Sequence, residues 1–382
     1  MRIAIIAGES SGDFLGAGLI TALRTRYPSA KFEGIAGPRM AAAGCEVLYP
    51  MERLAVMGLL ESARRLPELL GVRRRLVRRF IEDPPDAFIG IDAPDFNLAL
   101  ELALRRAGIS TVHYVSPQVW AWRRYRLRRI RRAVDMMLTL FPFEEKFFRD
   151  RGVAARFVGH PLADIIPRHS DQGGARRALG LDETGEIVAI LPGSRLSEVS
   201  RLARPMIGAA RWLARRRPDI RFVVPLVDEQ VRSRFETELA QIGGCHGMQL
   251  LSGDARTAMT AADAVLLASG TASLEALLLE RPMVITYRLG IFSWWIARAV
   301  VKVPFAGLPN LLAGRLIVPE LLQNEAEPDK LGAALLEFLD DPKRTNALKQ
   351  EFRRIHELLM NDADERAADA VLEVMDVPVG GA

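Results

Sequence analysis

The sequence predicts an α/β protein of two Rossmann-like domains. Three observations carry that expectation: short apolar runs rich in β-branched residues alternate with longer helical patterns, the alternation lapses in a polar Pro- and Gly-containing stretch at residues 161–185, and it then resumes. The runs before the break span residues 2–7, 87–92, 111–115, 136–140 and 156–158; those after it span 186–191, 220–225, 264–267 and 283–287. The expected division is 1–165 for a first domain, 166–343 for a second and 344–382 for a charged helical tail that packs back on the body. Open parallel sheets bind ligands beyond the carboxyl ends of their strands, so the loops that follow these runs are where chemistry is sought.

Composition narrows the classes. A chain of 382 residues is long enough for two buried cores, and 49% hydrophobic with 26% charged residues is the balance of a globular protein, not a disordered one. Cys45 and Cys245 are the 2 cysteines, too few for a disulfide framework or a four-ligand zinc site, which fits a reducing cytosol. The apolar start is a strand's length and contains Arg2, so it does not read as a signal peptide. No uncharged apolar run reaches the ~18 residues that span a bilayer. The net charge of +5 conceals 52 basic residues, many of them clustered arginines, and these imply an anionic partner.

The first βα turn reads Gly8-Glu9-Ser10-Ser11-Gly12-Asp13. Its spacing is not that of the G-x-G-x-x-G dinucleotide fingerprint, and serines and acids stand where a pyrophosphate needs bare backbone, so a dehydrogenase is disfavoured. Ser10, Ser11, Gly12 and Asp13 read either as a polar cleft loop at a helix start or as an ordinary tight turn. After the second run comes Gly90-Ile91-Asp92-Ala93-Pro94-Asp95-Phe96-Asn97. Pro94 suits a first helical position and sets Asp95 at a helix start beside a strand's carboxyl end, where a carboxylate serves as general base if a hydroxyl meets it. Capping accounts equally well for one of the two aspartates, Asp92 being the better candidate. His113, in mid-strand, reads as a satisfied core histidine, and His160, in Gly159-His160-Pro161, as a shaper of the domain exit.

In the second half, Leu191-Pro192-Gly193-Ser194-Arg195 follows a strand and opens a helix. Gly193 and Ser194 offer backbone N–H groups and Arg195 a planar fork matched to phosphate; the alternative is an arginine paired with Glu198 on a solvated helix. Ser269-Gly270-Thr271-Ala272-Ser273-Leu274-Glu275 repeats the pattern. Ser269, Gly270 and Thr271 present a helix start to an anion, and Glu275, one turn in, is placed to accept from vicinal hydroxyls such as those of a ribose. A capping box needs Ser or Thr three residues before the Glu, and Ala272 stands there instead.

In order along the chain, these motifs, together with Tyr114-Val115-Ser116-Pro117-Gln118-Val119-Trp120-Ala121-Trp122 and Leu308-Pro309-Asn310, resemble those of the lipid A disaccharide synthase family. The resemblance implies an α/β GT-B fold, two Rossmann-like domains facing across a cleft, with the acceptor on the first and the donor nucleotide on the second. It implies an inverting, UDP-sugar-dependent glycosyltransferase of lipid A (lipopolysaccharide) biosynthesis. In that reaction the 2,3-diacylglucosaminyl group of UDP-2,3-diacylglucosamine passes to the 6-hydroxyl of 2,3-diacylglucosamine 1-phosphate and UDP is released. By position, Asp95 takes the place of the family's base, Arg195 and Asn310 of residues important for activity, and Glu275 of a ribose contact. The residues agree: single displacement needs a base, Asp95, and stabilisation of the departing diphosphate, for which Ser194, Arg195, Asn310 and the N–H groups at Ser269, Gly270 and Thr271 are candidates. No metal and no cofactor is expected, Asp92 and Asp95 being better used on a hydroxyl than on Mg²⁺.

Residues 120–132 read as a helix whose apolar stripe is Leu127, Ile130 and Val134, with arginines over the rest; Arg73, Arg74, Arg75, Arg78 and Arg79 form a second cluster. Such surfaces suit nucleic acid, anionic lipid headgroups or plain solvent. No helix-turn-helix, RRM, KH or zinc pattern accompanies them, so a membrane surface is preferred and no nucleic acid is expected. Met57, Leu59 and Leu60 near one cluster, and Trp294 and Trp295 beside Arg298 and Lys302, are candidate acyl and membrane contacts of a cytoplasmic enzyme peripheral to the inner membrane, core packing being the alternative. A homodimer through the terminal helix is an arrangement the sequence allows. The rival functions are another GT-B-type enzyme such as a UDP-sugar 2-epimerase, whose small substrate gives those surfaces no task, and a non-enzymatic nucleic-acid-binding protein.

Overall fold

The computed structural model describes residues 1–54, 59–121, 124–290, 294–295 and 303–376. Two parallel sheets organise them. The first holds β1 (Arg2–Ala7), β2 (Lys31–Ala36), β3 (Cys45–Pro50), β4 (Ala87–Ile91), β5 (Ser110–Tyr114), β6 (Met136–Thr139) and β7 (Ala155–Phe157) in the order β3-β2-β1-β4-β5-β6-β7. The second holds β8 (Ile187–Leu191), β9 (Arg221–Leu226), β10 (Met248–Ser252), β11 (Ala264–Ala268), β12 (Met283–Tyr287) and β13 (Glu320–Leu322) in the order β10-β9-β8-β11-β12-β13. In each sheet the strand order reverses once, between β1 and β4 and between β8 and β11. The register there sets Ala7 opposite Ile91 and Leu191 opposite Leu267, so the two carboxyl ends are level and their following loops adjoin. Ligands of doubly wound sheets bind at such switch points.

The central strand runs are almost continuously apolar because those strands are covered on both faces. Ile3, Ile5 and Ala7 of β1 pack with Leu19 and Leu23 of the helix Ser10–Arg26. Ala4 and Ile6 point the other way, toward Val72, Leu76 and Phe80 of the helix Leu59–Glu82 and Leu100 and Leu104 of the helix Pro94–Arg106. Four strands lie outside the expected runs. β3, β10 and β13 are at sheet edges or next to one face of solvent and need no continuous apolar run, and β2 is interrupted in sequence by Glu33 and Gly34. Glu33 is nevertheless buried, its charge met by Arg79 at 2.6 Å and Arg2 at 3.5 Å.

The expected helix over 120–132 is shorter than its charge pattern suggests. A 3₁₀ turn at Arg124–Arg126 leads into a regular helix at Leu127–Ala133; Ile130 and Val134 are buried as the stripe requires, but Trp120 and Ala121 are buried too, in a segment that is not helical. An indole fixed in the core overrides local helix propensity.

The chain divides into two compact units, Met1–Asp164 with the stretch from Leu359 onward, and Ile165–Leu358. The C-terminal segment is therefore not one tail. The helix Pro342–Leu359 lies with the second unit, whereas Ala367, Ala370 and Val371 of the helix Ala363–Asp376 join the same core as β1. The break comes at Asp362, with φ of 50°, where Asp164 accepts the amides of Asn361 at 2.9 Å, Asp362 at 3.1 Å and Ala363 at 2.8 Å.

Asp13, expected in a polar cleft loop, is a tether instead. It is 2% exposed and accepts the amides of Gly37 at 2.9 Å, Arg39 at 2.9 Å and Met40 at 3.0 Å, satisfying the start of the short helix Pro38–Ala42. Gly12 is buried as well, while Ser10 and Ser11 are exposed. Asp13→Ala strands those amides and is expected to lower the unfolding free energy by roughly 2–4 kcal/mol in urea titration, against less than about 0.5 kcal/mol for Ser11→Ala.

Candidate active site

In the first unit the switch point brings the first turn against the Asp92 turn. A Cβ on Gly8 would lie 2.8 Å from Ala93 Cβ, so only glycine lets the two loops close on each other. Asp92 and Ala93 take φ of 49° and 43°, a left-handed pair that costs backbone strain. Buried Asn97 holds it, its Nδ2 donating to Asp92 O at 2.8 Å and Ile91 O at 3.3 Å. The kink turns the chain into the helix Pro94–Arg106 with Asp95 in its first turn. The Asp95 side chain is 76% exposed and meets Arg126 at 2.6 Å, Nη2 donating to Oδ1. Asp95 is thus neither buried nor used as a cap. His113 is the core histidine its strand position suggests, fully buried with Nδ1 2.6 Å from Glu101 Oε1.

In the second unit a cavity of about 520 Å³ opens at the carboxyl ends of β8, β9, β11 and β12. Gly193, Ser194, Arg195, Ser269, Gly270 and Thr271 line it, as the sequence places them, beside an apolar wall of Pro225 and Val227. The loop after β8 differs from expectation in one respect. Glu198 Oε2 accepts the amides of Ser194 at 3.2 Å and Arg195 at 3.4 Å, so a carboxylate already holds nitrogens that phosphate capture would use. Gly193, at φ of 116°, makes this possible, since a Cβ there would lie 2.7 Å from Glu198 Cβ. The Arg195 side chain is 69% exposed and 3.8 Å from Glu198, which leaves its guanidinium open to the cavity. The amides of Gly270 and Thr271 have no backbone partner among the described residues.

Two residues expected as diphosphate or ribose contacts have partners within the fold. Asn310 is fully buried; its Nδ2 donates to Val318 O at 3.0 Å and Glu320 Oε1 at 2.7 Å, and its Oδ1 accepts from the amides of Ile317 at 2.7 Å and Val318 at 3.0 Å. With every hydrogen-bonding site taken, it positions. Glu320 in turn accepts the Ala306 amide at 2.8 Å, and Ala306 O accepts the Ser269 hydroxyl at 2.8 Å, so the chain of bonds ends on the cavity loop. Glu275 is not among the lining residues; its carboxylate lies 3.4 Å from Arg256, a structural partner the missing capping box did not reveal. Sequence reading missed Asp254 and Tyr287 on the lining. Asp254 follows β10, which carried no recognisable run, whereas Tyr287 ends a strand that was read and its position was the available signal.

A family model described as lipid-A-disaccharide synthetase matches residues 3–374. The chain belongs to that family. A lipid-A-disaccharide synthase of Hahella chejuensis is 51% identical over 98% of this chain and 95% of its own, and one of Pseudomonas syringae pv. tomato is 52% identical over 99% and 98%. Among solved structures, UDP-GlcNAc 2-epimerase from Neisseria meningitidis bound to UDP-GlcNAc is similar at a TM-score of 0.67 and 13% identity over 98% of this chain and 100% of its own. CalG4, the calicheamicin glycosyltransferase, is similar at 0.62 and 14% over 98% of each. These likenesses show the fold, two parallel-sheet α/β domains of the GT-B kind. Membership in the lipid-A-disaccharide synthetase family makes the chain a glycosyltransferase of lipid A biosynthesis and does not favour the epimerase or nucleic-acid-binding readings.

Of this family member's candidate membrane contacts, Met57, Arg298 and Lys302 lie outside the described residues. Leu59 and Leu60 open the helix Leu59–Glu82, Trp294 is half-buried and Trp295 is 66% exposed. Among the described residues no helix is long and apolar enough to cross a membrane.

One further motif acquires a role. Val115 has φ of 76°, an outlier for a β-branched residue. Next to it Glu144, 4% exposed, accepts from Ser116 Oγ at 2.5 Å, Trp120 Nε1 at 3.0 Å and the Phe141 amide at 3.1 Å. Glu144 thus pins the start of the loop that leads to Arg126. Burial pushes its carboxyl up to about 7, against the opposing pull of those donors. A carboxyl raised in the fold above its unfolded value of about 4.3 contributes stability that is complete at low pH and is lost as pH rises toward the folded value. Between about pH 4.5 and 7 the wild type is therefore expected to lose roughly 3 kcal/mol of unfolding free energy relative to Glu144→Gln, with no further change above about pH 8. Urea unfolding at stepped pH measures it, and a difference that stays level across the interval contradicts the assignment.

Proposed function

We propose that this chain makes the lipid A disaccharide by transferring the 2,3-diacylglucosaminyl group of UDP-2,3-diacylglucosamine to the 6-hydroxyl of 2,3-diacylglucosamine 1-phosphate, with inversion and release of UDP. The observation that carries the reading is the complementary chemistry at the two switch points: an exposed carboxylate, Asp95, in one unit, and a cavity with an open guanidinium, Arg195, in the other. Asp95 takes the proton of the attacking hydroxyl as its oxygen bonds the anomeric carbon, and the C–O bond to the diphosphate breaks from the opposite side. Arg195 and the amides of Gly270 and Thr271 stabilise the charge that develops on the departing diphosphate, while Pro225 and Val227 offer an apolar wall to the base. Asn310 acts through Glu320 and Ala306 on Ser269 without touching the donor.

Acyl chains of both substrates stay in a bilayer, and the enzyme meets them as a peripheral protein. Exposed Trp295 and the arginines of the helices Leu59–Glu82 and Leu127–Ala133 support that reading, combining an interfacial aromatic with cations for anionic headgroups.

Incubation of the purified protein with both acylated glucosamines is expected to yield a disaccharide and UDP by mass spectrometry. Asp95→Ala is expected to lower kcat by roughly two orders of magnitude or more. Arg195→Ala is expected to lower kcat/KM for the UDP donor by about tenfold or more, as loss of one charge-assisted contact does. Absence of disaccharide from the wild type overturns the reaction; unchanged kcat in Asp95→Ala overturns the base.

A further inference from the structure

Asp95 and Arg126 are an unequal pair. The carboxylate is 76% exposed, whereas the arginine side chain is only 19% exposed, and the single bond between them joins Nη2 to Oδ1 at 2.6 Å. Oδ2 and the other guanidinium N–H groups have no hydrogen-bond partner among the described residues. Arginine carries five donors in a rigid fork, and those that Asp95 leaves free are not fully buried, so an anionic ligand can reach them and supply their acceptors. The basic residues that follow, Arg128, Arg129, Arg131 and Arg132, are exposed, whereas Arg126 is half-buried and turned toward Asp95.

We infer that Arg126 reads the phosphate of the acceptor sugar with one edge of its guanidinium while the other edge holds Asp95 Oδ1 and leaves Oδ2 for the hydroxyl proton. This rests on the reaction proposed above. The chemistry of the acceptor fits a single bridging fork: on a glucosamine 1-phosphate, the carbons bearing the phosphate and the 6-hydroxymethyl group flank the ring oxygen, so the anion and the attacking hydroxyl are near neighbours. Two parallel N–H···O bonds to phosphate supply both charge and orientation, which a point charge does not. Arg126 is then the residue that selects an acceptor phosphorylated at the anomeric position and aligns the base at the same time.

The test compares kcat/KM for the acylated glucosamine 1-phosphate with that for the same acylated sugar lacking the phosphate. The wild type is expected to prefer the phosphorylated acceptor by roughly 10- to 100-fold. In Arg126→Ala the preference falls to within about threefold, and in Arg126→Lys, which keeps the charge but loses the fork, it takes an intermediate value. KM for the UDP donor stays within about threefold of wild type in both variants. A preference that survives in Arg126→Ala, or a wild type indifferent to the phosphate, overturns the inference while the disaccharide reaction stands. Failure of the wild type to make disaccharide from either acceptor overturns the reaction and this inference with it.

Discussion

Carboxylates that accept backbone N–H groups hold the loops on which both units depend. Asp13 ties down the segment after β2, Asp164 the return into the C-terminal helix, Glu144 the turn after β6, Glu198 the turn after β8 and Glu320 the segment before Asn310. A parallel sheet supplies the frame for this, because all its strands deliver loops to one edge, but it leaves the loop backbone unpaired there. A carboxylate offers several acceptor sites on a short stem and bonds N–H groups more strongly than a neutral oxygen does. The arrangement fixes the loops without covering them, so Asp95 and Arg195 stay open to ligand.

The division of labour between the two units follows from what each switch point carries. In the first, a strained left-handed pair at Asp92 and Ala93 aims a helix start outward and lifts a single carboxylate clear of the surface. In the second, glycine at 193 lets the turn tighten onto Glu198, and the cavity behind it keeps a guanidinium and open amides. One unit presents an exposed carboxylate and the other a cavity with an open guanidinium, which on the reaction proposed above supply the proton acceptor and the anion site that displacement of a nucleoside diphosphate by an alcohol requires.

Most of this was legible in the residues where local rules decide. The central strands β1, β4, β5, β8, β11 and β12 could be read because burial on both faces demands continuous apolar runs, and Pro94 marked the helix start that places Asp95. Legibility failed where a side chain's partner is distant in sequence. Asp13 looked like a cleft residue because Gly37, Arg39 and Met40 are invisible to local pattern, and Asn310 looked like a ligand contact because its role passes through Glu320. Arg126 could not be told from its neighbours by composition; only the 3₁₀ turn at Arg124–Arg126 and the burial of Trp120 turn it inward.

The helix Ala363–Asp376 closes the core of a unit whose other elements end at Asp164. A ribosome therefore releases the first sheet well before the piece that covers one of its faces. At about 5–20 residues per second, the intervening second unit takes roughly 10–40 s to emerge. Throughout that interval the nascent first sheet exposes the apolar surface later met by Ala367, Ala370 and Val371, and vectorial synthesis makes this the stage at which the polypeptide most needs a chaperone.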